Sequence, residues 1–139
     1  MIRRMRELVA SRSDFALEST LANRFLAPWI TRLRADGYLF HLVYLWLHSA
    51  DLAVRRVAER VRQGGHGVPE TTIRRRYERS LGNFFNIYRP IADSWLMLDN
   101  STAVVPQPIP WRNVGSPIQI ARNGPWDRLR EKHEKDVFE

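Results

Sequence analysis

The chain contains no cysteine and only two lysines, and its longest apolar run is short. Without cysteine, disulfide bonds and thiolate metal sites are excluded. The run from Tyr38 to Leu47 spans ten residues, whereas a membrane-spanning helix needs about 20. No N-terminal stretch combines the basic, apolar and small-residue parts of a secretory leader. We therefore expect a cytoplasmic protein that makes no membrane contact.

The positive charge of the chain is nearly all arginine. There are 22 basic and 15 acidic residues, and 20 of the basic ones are arginine. A guanidinium group binds phosphate oxygens in pairs, so this choice favours a polyanionic ligand, although a coding bias toward arginine would also produce it. Eight arginines and three glutamates lie between Arg55 and Arg79, which gives this segment a charge of +5. We expect a phosphate-bearing ligand to bind there.

The order of helical patterns and short apolar runs predicts an α/β fold with a parallel sheet, flanking helices and right-handed crossovers. The apolar run Tyr38 to Leu47 is typical of a strand buried on both faces of such a sheet. A helix precedes it and ends at Asp36 and Gly37, and Pro28 either kinks this helix or marks its first turn. Further strands are predicted at Phe15 to Leu17 and at Ser94 to Leu98.

Two amphipathic helices joined by glycines predict a helical hairpin, at about residues 50–89. Ser49 can cap its first helix, Gly64 and Gly65 end that helix, and Pro69 opens the second. The inner face of the second helix is expected to comprise Ile73, Tyr77, Leu81, Phe84, Phe85 and Tyr88. Because most of the arginines lack an acidic neighbour, we interpret the hairpin as a lid that folds over phosphate; the alternative is a solvated pair of charged helices.

The C-terminal part, residues 102–139, is predicted to lie outside a first unit of residues 1–101. Pro106, Pro108 and Pro110 indicate an irregular connection. A small edge strand at Pro117 to Ala121 and a short charged helix at Trp126 to His133 follow.

Glu18 and Thr20 follow the first predicted strand, at the edge of the sheet where α/β proteins bind ligands. Their carboxylate and hydroxyl groups are candidates for binding the hydroxyl or amide groups of a substrate. The alternative is that Thr20 caps the next helix and Glu18 is solvated.

His66 lies between glycines and is a weak candidate for donating to a phosphate. The four histidines lack the spacing of metal ligands, and no motif of a serine or cysteine nucleophile is present, so we expect no metal bound by this chain.

Several ordered motifs resemble the zeta-toxin-like P-loop kinases over roughly residues 3–101. They comprise Phe15-Ala16-Leu17-Glu18-Ser19-Thr20-Leu21, Gly37-Tyr38 leading to Leu45-Trp46-Leu47, Arg56-Val57, Arg60-Val61, Gly64-Gly65-His66-Gly67-Val68-Pro69-Glu70, Arg74-Arg75-Arg76-Tyr77, Ala92-Asp93-Ser94-Trp95 and Asp99-Asn100-Ser101. The ordered set is more specific than any one motif.

The resemblance implies an ATP-dependent phosphotransferase of a toxin–antitoxin system, with ATP and Mg²⁺ as cofactors. The toxins phosphorylate a UDP-activated amino sugar, and an antitoxin protein is a candidate partner. By resemblance, Glu18 and Thr20 contact the acceptor and Arg60 is a catalytic lid arginine. Either His66 or Arg75 takes the position of the second lid arginine, and Arg62 lies beside them as a further phosphate contact.

The chain departs from this family in the donor site. It contains no G-x-x-x-x-G-K-[ST] loop, and the family's catalytic Asp would lie before Met1. We therefore expect a fragment, a misassigned start or a degenerate copy, which binds neither ATP nor Mg²⁺ tightly and does not turn over ATP. The alternative function is a non-catalytic module that binds phosphorylated ligands or nucleic acid through the hairpin. Nucleic acid is the less favoured ligand because Phe84, Phe85 and Tyr88 are expected on the apolar face of their helix and not among the basic residues.

Overall fold

A computed structural model describes residues 2–102 and 104–135 of the chain. The elements are α1 (Ile2–Ala10), α2 (Leu26–Ala35), β1 (His41–Trp46), α3 (Ala50–Arg62), α4 (Glu70–Asn83), a π-helical segment (Phe84–Tyr88), α5 (Arg89–Ile91), β2 (Ser94–Asp99), β3 (Gln107–Arg112), β4 (Gln119–Ile120) and α6 (Asn123–His133). The sheet has the order β1-β2-β3-β4. The predicted α/β class is confirmed.

The sheet is mixed, not parallel throughout as predicted. β1 and β2 are parallel, while β3 pairs with β2 and β4 pairs with β3 in antiparallel ladders. The prediction of a parallel neighbour holds for β1 and β2, which α3, α4 and the π segment connect. A long helical crossover of this kind is the connection that parallel neighbours require.

One face of the sheet carries the hydrophobic core. On β1 the residues Leu42, Tyr44 and Trp46 are buried, and they alternate with exposed neighbours. The π segment packs on this face: the Phe84 ring lies 4.9 Å from the Tyr44 ring and 5.8 Å from the Trp95 ring. Each large apolar side chain buried there contributes about 1.5–3 kcal/mol to folding.

The opposite face of β1 is uncovered, so the prediction of a strand buried on both faces is wrong. Val43 is 58% exposed and Leu45 is 55% exposed. Val43 is level with Leu96 and Leu45 with Leu98 on the parallel neighbour β2. An apolar run shows that both faces can be buried, but only the packing of other elements decides whether they are.

Residues Phe15 to Leu17 form no strand, contrary to the prediction. The segment has no ladder partner, and side-chain contacts hold it in place instead. Tyr38 Oη donates to the carbonyl oxygen of Ser13 at 3.3 Å, and the Phe15 ring lies 5.9 Å from the Trp29 ring. Three apolar residues are too few to distinguish a strand from a loop that packs on the core.

Helix α2 begins at Leu26, so Pro28 lies in its first turn. This confirms the second of the two roles predicted for Pro28, because amide groups in a first turn have no partner within the helix. At the other end, Gly37 has a φ of 99°, which ends the helix as expected.

Residues 107–112 form β3, so the predicted irregular connection around Pro108 and Pro110 is wrong at these positions. Leu96 pairs with Trp111 and Leu98 with Pro108, so β3 holds one extra residue, a β-bulge. A bulge tolerates proline because its ladder is already interrupted. The short edge strand β4 and the helix α6 appear where the sequence predicts them.

No helix among the described residues has both the length and the apolar character needed to cross a membrane.

Candidate functional site

The hairpin begins where the parallel strands β1 and β2 end. Ser49 caps α3 as predicted, since its Oγ accepts from the amide of Leu52 at 3.1 Å. The amide of His48 donates to Ser101 Oγ at 2.9 Å and thereby links the loops that follow the two strands. The carboxyl ends of parallel strands are the common place for ligand sites in α/β folds.

Two glycines shape the turn at the tip of the hairpin. Gly64 has a φ of +95°, which residues with a side chain rarely adopt. It lies just after the last turn of α3. A Cβ atom on Gly65 would lie 2.8 Å from Arg60 Cγ and 2.9 Å from the Arg60 carbonyl oxygen. The loop therefore requires glycine at both positions, and Arg60 lies at the tip.

The first helix of the hairpin, α3, is only lightly attached to the rest of the molecule, whereas the second helix leads into the buried π segment. Helix α3 contains no buried residue. Its apolar stripe and that of α4 line a groove of about 240 Å³ that includes Val57, Val61 and Ile73. At the base, Tyr77 Oη donates to the Leu47 carbonyl oxygen at 2.8 Å. A helix with so few buried contacts as α3 can move without disturbing the core.

Two hairpin arginines are engaged by acidic side chains. Arg62 donates to Glu59 at 3.0 and 2.6 Å, and this bond lowers the pKa of Glu59. Arg74 donates to Asp51 at 2.6 Å and to Glu70 at 2.9 Å, so it joins α3 to α4. These exposed pairs contribute little to stability. Arg62, predicted as a phosphate contact, would have to leave Glu59 to bind a ligand.

The other hairpin arginines make no ion pair within the described part of the chain. They are Arg55, Arg56, Arg60, Arg75, Arg76 and Arg79. Arg56 and Arg60 lie four residues apart on α3, as do Arg75 and Arg79 on α4, so each pair shares one helix face. Like charges at this spacing destabilise a helix slightly, and an anion bound between them would remove that cost.

Glu18 and Thr20 are both exposed and lie in the loop before α2. Thr20 Oγ1 accepts from the amide of Ala22 at 3.4 Å, so it closes a local turn and is not a helix cap. Asn83 Nδ2 donates to the Leu21 carbonyl oxygen at 2.7 Å, which fixes this loop at the carboxyl end of α4. The rise of an α-helix places that end about 20 Å from the start of α4.

The predicted acceptor and lid residues are therefore not in contact in this structure. Arg60 lies at the tip of the hairpin, whereas Glu18 and Thr20 lie near its base. Arg75 is eight residues from Asn83, or about 12 Å along the helix axis. His66 is exposed in the tip loop. The structure does not distinguish Arg75 from His66 as the second lid residue.

The residues present do not fit a donor site for ATP and Mg²⁺. The sequence has no P-loop, and no group of three or more His, Cys, Asp or Glu residues is arranged to hold a metal ion in residues 2–102 and 104–135.

Two arginine contacts were missed by the sequence analysis. Arg34 makes a bidentate pair with Asp93, at 3.0 and 2.7 Å, and Asp93 also accepts from the amide of Phe40 at 2.7 Å. These bonds lower the pKa of Asp93, the Arg34 bond most strongly. Arg89 lies over the Phe85 ring at 5.1 Å. Phe85 and Arg89 are four residues apart in one helical stretch, and this spacing would have indicated their contact.

No protein-family model matches the chain, and no solved structure matches it. A protein of Haemophilus influenzae (strain ATCC 51907 / DSM 11121 / KW20 / Rd), named only "Uncharacterized protein", is 29% identical over 63 residues. The matched region covers 45% of this chain and 45% of that protein. The chain thus spans less than half the length of this relative.

Proposed function

We propose that the chain forms the acceptor-binding and lid part of a zeta-toxin-like phosphotransferase. The observation that carries the proposal is a helical hairpin at the carboxyl ends of two parallel strands, whose first helix, α3, is lightly attached and whose arginines include six without an ion pair among the described residues. Lids of kinases bring arginine to a transferring phosphoryl group by a closing motion. The scarcity of buried contacts gives α3 the freedom to move when a ligand binds.

In this proposal Glu18 and Thr20 hold the hydroxyl or amide groups of the acceptor, a UDP-activated amino sugar or a chemically similar molecule. Arg60 and Arg75 stabilise charge on the transferring phosphoryl group, and Arg62 and His66 contact phosphate nearby. Because the length of α4 sets the gap of about 20 Å, the bound acceptor must extend along the hairpin from the Glu18 loop toward its tip. A cytoplasmic location and an antitoxin partner belong to the same proposal.

The acceptor role is tested by titrating UDP-N-acetylglucosamine into the chain in a calorimeter. We expect saturable binding, and we expect Glu18→Gln to weaken it about tenfold, the effect of losing one charged hydrogen bond. Asp14→Asn is the matched control, because Asp14 is exposed in the same loop. Absence of binding, or equal weakening in both variants, would remove the acceptor site from Glu18.

The lid role is tested with inorganic tripolyphosphate, which carries the charge of a nucleotide triphosphate without its base. We expect Arg60→Ala to weaken its binding about tenfold. The control is Arg32→Ala on α2, which is exposed outside the hairpin. With ATP, the chain should show no turnover above background because it has no P-loop.

A second candidate function is nucleic-acid binding, which the exposed Arg75, Arg76 and Arg79, all within five residues of α4, favour. Against it, Phe84, Phe85 and Tyr88 are buried, so they are not available to stack on bases. Binding of a single-stranded oligonucleotide that falls steeply with salt, together with failure to bind the UDP sugar, would favour this function.

A further inference from the structure

A second arginine-lined cavity lies at the opposite end of the parallel strands from the hairpin. It has a volume of about 460 Å³ and is bordered by α5, α6, the first residues of β2 and the end of β3. Trp95 lies near the amino end of β2, and Arg112 is its partner on β3. The hairpin leaves the sheet at the other, carboxyl end of β1, so the two regions are separate. A volume of this size is within the range of small-molecule sites.

The floor of the cavity is an arginine stacked on aromatic rings. The guanidinium of Arg89 lies 5.1 Å from the centre of the Phe85 ring, 5.7 Å from Trp95 and 5.6 Å from Trp126. Its side chain is 14% exposed, and it forms an ion pair with Glu134. Stacking and pairing together fix the orientation of this guanidinium.

The walls add two further arginines. Arg112 Nη2 donates to the carbonyl oxygen of Ala92 at 2.6 Å, which holds the group in place and leaves its other N–H donors for a ligand. Arg130 has its Nε 3.8 Å from Glu134, and its side chain is 54% exposed. Among the residues that line the cavity, three are arginine and Glu134 is the one acid, so the net charge is +2.

Apolar groups complete the lining. Pro90 and Ile118 border the cavity together with the two tryptophans, and Ile118 is 43% exposed. An exposed apolar side chain beside arginines with spare donors is suited to a ligand that has one anionic end and one apolar end. Fixed guanidinium groups bind phosphate oxygens in pairs, and two excess positive charges match a phosphate monoester dianion.

From this geometry we propose that the Arg89–Arg112–Arg130 cavity binds a small phosphate monoester with an apolar body. The phosphate is placed between Arg112 and Arg130, and the apolar body contacts Ile118 and Pro90. The site is independent of the hairpin and of the function proposed for it.

The test is a titration of phenyl phosphate into the full chain, followed by the indole N–H signals in NMR spectra and by calorimetry. The signals of Trp95 and Trp126 should shift and saturate, while that of Trp46, at the other end of β1, should not move. Inorganic phosphate should bind more weakly. If the tryptophan signals do not saturate, the site is overturned; equal affinity for both probes would overturn the apolar half of the assignment.

Matched variants locate the binding. Arg112→Gln should weaken phenyl phosphate about tenfold, and Arg130→Gln, which is more exposed, about threefold. Arg128→Gln on the same helix is the control, since Arg128 is exposed and does not line the cavity. Glu134→Gln removes the single acid and should tighten binding severalfold, an effect that a purely structural role would not produce. Unfolding curves check that each variant is folded.

The hairpin variant Arg75→Gln separates this site from the hairpin. It should leave phenyl phosphate binding at the cavity unchanged. If Arg75→Gln weakens binding as much as Arg112→Gln does, the phosphate binds to the hairpin and the cavity is overturned. If neither variant weakens the binding of phenyl phosphate, the probe binds neither at the cavity nor at the hairpin. That outcome does not affect the proposed binding of the UDP sugar to Glu18.

Discussion

The π segment and α3 adjoin opposite ends of α4, yet their surroundings differ. Phe84 is 0% exposed and Phe85 is 1% exposed, and both pack against aromatic rings of the sheet and of α6. In contrast, α3 has no buried residue and carries Arg55, Arg56 and Arg60. The free energy of folding is thus concentrated at the carboxyl end of α4, whereas the arginines without ion pairs lie on α3 and on the exposed face of α4.

The largest effect is expected for Phe84→Ala. Removing a fully buried ring from the core should lower the free energy of unfolding by about 3–5 kcal/mol. Val57→Ala, in the groove of the hairpin, should cost about 1 kcal/mol or less, because Val57 is only partly buried. Chemical denaturation measures both. Similar costs for the two variants would contradict the division between core and hairpin.

Asp93→Asn should have the next largest effect. The carboxylate joins the end of α2, through Arg34, to the amide of Phe40 before β1. Losing its charge should cost about 1–2 kcal/mol, since hydrogen bonds to charged groups are strong but Arg34 is partly solvated. The lowered pKa of Asp93 means that this stability is present above its ordinary pKa and is lost as the pH falls through the lower folded value.

The control for Asp93 is Asp36→Asn, at the exposed end of α2. Its stability at neutral pH should differ from that of the parent by no more than about 0.5 kcal/mol. If both variants lose the same stability, the cost reflects charge at the end of α2 and not the bonds of Asp93.

The effect of Gly64→Ala on the free energy of unfolding should be smaller still, and the effect of Gly82→Ala should have the opposite sign. A Cβ atom would meet nothing within 4 Å at either position, so the effects come from the backbone alone. At a φ of +95° alanine is strained, and we expect a loss of about 1 kcal/mol. Gly82 lies inside α4, where alanine should stabilise by about 0.5–1 kcal/mol. Thermal unfolding distinguishes the signs.

The smallest effect concerns the pH dependence of the core. His133 stacks on the Phe85 ring, with Glu78 and Lys132 as its charged neighbours. Burial lowers the pKa of His133, although Glu78 opposes this shift. The unfolded chain therefore takes up the proton first, so stability is complete above about pH 6.5 and falls as the pH drops through the folded pKa.

Unfolding curves measured between pH 8 and pH 5 should show this decline, and His133→Gln should flatten it. His66→Gln, at the exposed tip of the hairpin, should keep the slope of the parent. If the stability of the His133→Gln variant still declines over this pH range, the decline arises from another titrating group.

The sequence was sufficient wherever a local pattern determines the structure. Helical spacing predicted an inward face of six residues along α4 and the π segment. Leu81, Phe84, Phe85 and Tyr88 are buried, and Ile73 and Tyr77 are partly buried. The hydroxyl of Ser49 before an apolar stripe predicted the cap of α3, which is present. Capping and helical periodicity are properties of neighbouring residues, so no knowledge of the rest of the fold was needed.

Features that depend on distant partners were not predictable. Whether Val43 is covered depends on which elements pack on the sheet, and the bulge that admits Pro110 into β3 depends on pairing with β2. The cavity around Arg89 combines α5, α6, β2 and β3. For the hairpin, the sequence indicated the arginines but not that Glu59 engages Arg62 or that about 20 Å of α4 separates Arg60 from Glu18.

The one-sided packing of β1 also has an evolutionary consequence. Positions 42, 44 and 46 are constrained by the core, whereas His41, Val43 and Leu45 face away from it. In descendants of this sequence, tolerated substitutions should therefore alternate with a period of two along the strand, with polar residues accumulating at the odd positions. If apolar residues are instead retained at positions 43 and 45, this face of β1 is under selection to contact a covering surface.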